Sequence, residues 1–288
     1  MFIRKEFFSI SQTIFLLLVF VFNFSYAQQS SSKSKCVDEY FTKLPADFKF
    51  DEKIPQKYRI TSYFYNRDIA GNAANSIRLT GEFTRLLKED QIHCTWHNVR
   101  IATSQGFTRE FSEGNQLDFM DGLSYTYSEE MIKAEFFQNF PDQLRDLMKT
   151  LIWDAPWIEV AYMSIDKLKY NEPYIPTEFE GKELQIADSA MLKMKDLRLT
   201  WSGLAKIDEK LCALIQYKSF SNPVESNTNV MNVKGRSCYW GSLWVSLVDN
   251  QVEHVTLNED VILKMTFPGN PTEQILNIQR DVMFDKMK

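Results

Sequence analysis

The sequence predicts a mainly β protein: a curved antiparallel sheet or partly open barrel, laid out as a β-meander, with a small central helical insertion. Three observations carry this. Alternating runs rich in β-branched and aromatic residues, separated by short polar turns, fill both ends of the chain. Helical periodicity is confined to the middle, near 128–153. No fixed period is sustained, which sets aside a solenoid or propeller.

The first 27 residues read as a secretory signal. Arg4 and Lys5 supply the charged start, Ile14–Phe22 the apolar run, and Ser25-Tyr26-Ala27 the small residues before a cleavage site. The run falls short of the ~20 residues needed to cross a bilayer. Cys36 lies too far beyond Ala27 for a lipoprotein signal. The expectation is a secreted or periplasmic protein with no transmembrane segment in the mature chain. Residues 28–50 form a flexible N-terminal arm that starts with the polar tract QQSSSKSK, and 51–288 a single β-rich domain.

Strands are expected over Tyr58–Tyr65, Ser76–Leu87 and Gln91–Ala102, the last two joined at Lys88-Glu89-Asp90. Ser128 caps a short helix reaching Phe137. Asn139 opens another, with Leu144, Leu147, Met148, Leu151 and Ile152 on one face. Trp157–Pro176 reads as a strand followed by irregular chain. From Met191 the meander resumes: Leu197–Trp201, Leu211–Phe220, Arg236–Val248, Gln251–Phe267 and Ile275–Phe284. Ser221–Lys234 reads as a polar loop.

The net charge is −5, and no basic block exists, so nucleic acid is excluded as a partner. The four cysteines lack a CxxC spacing. In an oxidising compartment they predict two disulfides, Cys36–Cys94 and Cys212–Cys238. His93 and His97 sit about 13 Å apart on a strand at ~3.3 Å per residue, too far to share a metal. Hence no metal site and no cofactor is expected. There is no G-x-S-x-G elbow, G-x-G-x-x-G or P-loop.

The candidate site comes from a hairpin centred on Asp249-Asn250. That register places Trp240, Ser242, Trp244, Val255, Leu257 and Glu259 on one face, while Leu243, Val245, Leu247 and Val252 occupy the other. Both faces are apolar, so both need cover. A small recess at Ser242 between two tryptophans, with Glu259 at its edge, suits an apolar small molecule, a lipid or a partner protein. The reading is a non-enzymatic binding or carrier protein. Asp154, Glu159, Glu253, Glu259 and Asp260, all near aromatic residues, keep open a secreted carboxylate-dependent glycan hydrolase. A structural role in envelope assembly is the third reading.

Overall fold

The computed structural model describes residues 54–288, apart from 69, 129, 130, 132, 165, 166, 188 and 189. The signal, most of the arm and Cys36 lie outside the described residues. Three strands come first: β1 (Gln56–Arg67), β2 (Ala73–Lys88) and β3 (Gln91–Gln105). Two short strands follow, β4 (Asn115–Gln116) and β5 (Ser124–Thr126), both paired to β3. Then come the helices α1 (Arg145–Asp154) and α2 (Trp157–Ser164) and the short strands β6 (Pro173–Tyr174), β7 (Glu183–Ala187) and β8 (Ala190–Lys193). Long strands close the chain: β9 (Arg198–Ile207), β10 (Lys210–Asn227), β11 (Asn232–Ser246), β12 (Val252–Phe267) and β13 (Asn270–Lys286).

The thirteen strands of the described residues join one open antiparallel sheet, whose main path runs β4-β3-β2-β1-β13-β12-β11-β10-β8-β7. The two meanders meet at its centre, where β1 pairs with β13 from Tyr58 opposite Lys286 to Arg67 opposite Asn277. The mainly β class, the antiparallel meander and the helical insertion therefore stand, as an open sheet. No helix among the described residues is long and apolar enough to cross a membrane.

The pleat sorts side chains onto two faces. Tyr58, Ile60 and Phe64 of β1, Phe83 of β2, Leu243 of β11, Val255 and Leu257 of β12, and Phe284 of β13 are buried on the inner face. Both helices cover that face: α2 packs on β11 and β12, and α1 meets β7. Met148, Leu151 and Ile152 of α1 are buried, as the helical spacing requires.

Three local expectations change. Trp157–Ser164 is helical rather than a strand. Its first residues include the buried Ile158, Glu159, Val160 and Ala161 in succession, so neither the strand nor the helix period shows in the sequence. Residues 134–137 form a single 3-10 turn in place of a helix ending at Phe137. The polar segment Ser221–Lys234 is mostly strand. β10 shifts register at a bulge between Ser219 and Asn222, carries Pro223 opposite Arg236 beyond it, and continues to Asn227. Asn222, Val224 and Ser226 are buried while Ser221, Glu225 and Asn227 are exposed; two of the three inward residues are polar, which hid the alternation.

Candidate functional site

The hairpin between β11 and β12 does not have the expected register. The Ser246 N–H donates to the Gln251 carbonyl and the Asn250 N–H to the Ser246 carbonyl, so the loop is Leu247–Asn250, two residues longer than a tight turn. Glu253 is then an extra residue on β12, because Val245 faces Val252 while Trp244 faces His254. The result is a one-residue shift, which turns half of the expected site to the other face. Val255, Leu257 and Glu259 lie inside, beside Leu243, Gly241 and Tyr239. Trp240, Ser242 and Trp244 lie outside, beside Asn258, Thr256 and His254. Trp240 is 37% exposed, and Trp244 packs edge-on against the His254 ring. The six residues therefore do not line one recess.

The expected Cys212–Cys238 bridge is also corrected. Both thiols are free, although β10 and β11 are neighbours. Cys212 lies across from Ser246 at one end of the ladder, whereas Cys238 sits mid-strand, between Ser237 opposite Asn222 and Tyr239 opposite Ser219. Cys94 is a free, buried thiol. Among the described residues no group of three His, Cys, Asp or Glu side chains could hold a metal ion.

The recess lies on the inner face instead. A cavity of about 480 Å³ opens between the sheet and α1. Its floor consists of cross-strand rows. One row runs Ile77, Phe64, Arg280, Glu259, Tyr239 across β2, β1, β13, β12 and β11. The next runs Asn66, Ile278, Val261, Ser237. A third carries Leu263, Val224 and Leu192, with Gly235 between the first two. The roof is one helical face: Gln143, Asp146, Leu147, Thr150, Trp153, Asp154 and then Trp157. Gln143 and Asp146 are exposed and mark the mouth. Of the expected site residues, Leu257 and Glu259 line this cavity.

One charged cluster sits in the wall. The Arg280 guanidinium donates to Glu259 from Nη1 and to Asp154 from Nη2, and lies over the Phe64 ring, 4.9 Å from its centre. The Ser237 hydroxyl donates to the other Glu259 oxygen at 2.5 Å. Burial pushes the Asp154 carboxyl up to about 6, against the pull of Arg280, and the neighbouring Glu259 charge adds to the rise. The same two carboxylates hold Arg280 firmly protonated.

Sequence reasoning named Asp154 and Glu259 among scattered acids but had no means of joining them. Their meeting depends on Arg280, on the last strand, and on α1 folding back over the sheet. The other acids go elsewhere: Glu159 pairs with Arg85 of β2, and Glu253 with Lys210 and Lys286.

No family model matches the chain, and no curated protein matches it. Among solved structures the chain is similar to lipovitellin, in a structure titled for its lipid–protein interactions, with a TM-score of 0.39 and 10% identity. The match covers 83% of this chain and 26% of that one, so the chain spans about a quarter of lipovitellin's length.

Proposed function

We propose that this chain is an exported, non-enzymatic binding or carrier protein that holds an apolar small molecule or lipid between α1 and the inner face of the sheet. The observation that carries the reading is the 480 Å³ cavity with a mainly apolar wall. That volume falls within the ~300–1,000 Å³ of small-molecule sites, which combine apolar walls with a few placed polar groups. Phe64, Ile77, Trp153, Trp157, Leu257, Val261, Leu263 and Ile278 provide the apolar contact. Export rests on the Met1–Ala27 signal, cleaved after Ala27.

The test is direct. The exported protein is purified without detergent and examined by native mass spectrometry, with titration of Nile red, a neutral dye that brightens in apolar surroundings. A retained apolar adduct and saturable dye binding are expected. Val261→Trp, which fills the cavity, should abolish dye binding while the melting temperature stays near that of the parent. An unliganded protein that never binds the dye overturns the reading.

The hydrolase reading has one observation in its favour: Asp154 and Glu259 share a cavity wall, and Asp154 holds its proton to about pH 6. Turnover of glycan substrates that Glu259→Gln abolishes would establish it in place of the carrier.

A further inference from the structure

The charges in the cavity wall do not balance, and the imbalance bears on the polar end of the ligand. The lining contains four ionisable side chains at neutral pH: Asp146, Asp154, Glu259 and Arg280. Asp146 stands at the mouth, 65% exposed, and has Lys149 Nζ at 3.8 Å. Lys149 is buried over the Phe137 and Trp153 rings and does not line the cavity. That leaves Asp154, Glu259 and Arg280, side chains at most 12% exposed. Two carboxylates share one guanidinium, so the ionised trio carries one uncompensated negative charge in a wall that is otherwise mostly apolar.

An incoming carboxylate or phosphate finds no free cation in this wall among the described residues. Both Nη groups of Arg280 are committed and its face covers Phe64, which leaves the buried Nε–H as its one unpartnered nitrogen; a single N–H cannot form the two-pronged fork that recognises carboxylates. A third anion would meet Asp154 and Glu259 at close range, and like charges in a buried site repel strongly. A cation meets the opposite situation. It brings the missing charge to two carboxylates that one guanidinium shares, in a site where water competes weakly.

We infer that the cavity selects apolar molecules with a cationic head, an ammonium on an alkyl or aryl body, and seats that head against Asp154 and Glu259. Fatty acids and other anionic lipids are disfavoured by the same two groups. The inference rests on the cavity being a ligand site, as proposed above.

The experiment is competition for bound Nile red at pH 7.5 by three probes with the same chain: decylamine, 1-decanol and decanoate, each below its aggregation threshold. Decylamine should displace the dye at a concentration lower than 1-decanol by about tenfold or more, and decanoate should be the weakest. Glu259→Gln leaves the trio neutral and should bring decylamine and 1-decanol to within about threefold of each other. A thermal melt checks that this variant folds; if it does not, the ranking on the parent protein decides. Repeating the competition at pH 5, where Asp154 takes up a proton, should weaken decylamine alone. The groups facing Asp154 are Arg280, Glu259 and the Tyr217 phenol, and decylamine stays charged throughout. Equal affinities, or tighter decanoate, overturn the charge selection and leave the carrier reading standing. Failure of Nile red and all three probes to bind overturns both.

Discussion

The Tyr217 hydroxyl donates a 2.7 Å hydrogen bond to the Thr256 carbonyl, reaching from β10 across β11 to β12. Adjacent strands lie ~4.8 Å apart, so the ring must lie flat over the strand between them. Gly241 makes this possible. It stands opposite Tyr217 on one side and Leu257 on the other. An added methyl there would overlap the Thr256 carbonyl oxygen and the Tyr217 hydroxyl. The ring then gives α2 its seat, because Trp157 stacks on Tyr217 at 4.6 Å. Gly241→Ala should cost about 3 kcal/mol or more through overpacking. Gly203→Ala, where a methyl meets nothing within 4 Å, should stay within ~0.5 kcal/mol of the parent. Urea unfolding of the two variants checks the contrast.

A second clamp joins sheet and helix. Arg85 Nε and Nη2 of β2 donate to the two oxygens of Glu159 in α2, and both residues are buried. Removing one partner strands a buried charge, so Arg85→Ala should lose about 3–5 kcal/mol. Replacing both, as Arg85→Met with Glu159→Leu, should recover most of that loss, because the desolvation cost of the pair disappears with its attraction. A double variant as unstable as Arg85→Ala would show that packing around the pair, not the stranded charge, sets the cost.

The hairpin of β2 and β3 was legible because its turn is local. Glu89 and Asp90 take positive φ, of 54° and 61°, in the polar step between two alternating runs. The β11–β12 hairpin misled for an equally local reason. A four-residue loop and the extra Glu253 leave no mark in the alternation, yet together they put Trp240 and Glu259 on opposite faces. The floor of the cavity was beyond reach for a different reason. Arg280 and Glu259 meet in the β12–β13 hairpin, but Phe64 joins them only through the pairing of β1 with β13, and sequence separation on that scale carries no local pattern. The helix α2 was missed because burial on all sides removes periodicity.

The thiols report on the same packing. Burial pushes the Cys94 thiol up to about 12 and Cys212 up to about 11, so neither forms much thiolate at neutral pH. Cys238 is partly exposed. Brief alkylation of the native protein at pH 7.5, followed by peptide mapping, should label Cys238 well ahead of Cys94 and Cys212. A Cys212–Cys238 cross-link in the non-reduced map would contradict the register of β10 against β11.

Asp154 gives the protein a pH dependence of definite sign. Its ordinary value is 3.8 and burial raises it to about 6. Below pH 4 it is protonated in both the folded and unfolded chain, and its contribution to stability is intact. Between about pH 4 and 6 the unfolded chain ionises first, so stability is lost as pH rises through the folded value. The loss should be on the order of 2–3 kcal/mol by pH 7. Asp154→Asn cannot ionise, so the parent should lose stability relative to this variant across that range in urea unfolding. Parallel curves from pH 4 to 7 would mean that Arg280 fully offsets the burial.

The final prediction separates the two faces of the sheet. Ser242 sits on the outer face between Trp240 and Trp244, opposite Thr256, whose hydroxyl oxygen accepts the Ser242 N–H at 3.1 Å. A tryptophan introduced there points away from the cavity and has solvent to extend into. Ser242→Trp should therefore leave stability within ~0.5 kcal/mol of the parent. It should also leave Nile red affinity unchanged, whereas Val261→Trp on the inner face abolishes binding. Leu257→Ala, from the floor, should cost about 2–5 kcal/mol, because that side chain is 2% exposed and its removal leaves a void. If Ser242→Trp instead weakens dye binding while the fold holds, the ligand sits against the outer tryptophans. The cavity beneath α1 would then be a packing gap, with its buried charges serving only to dock the helix.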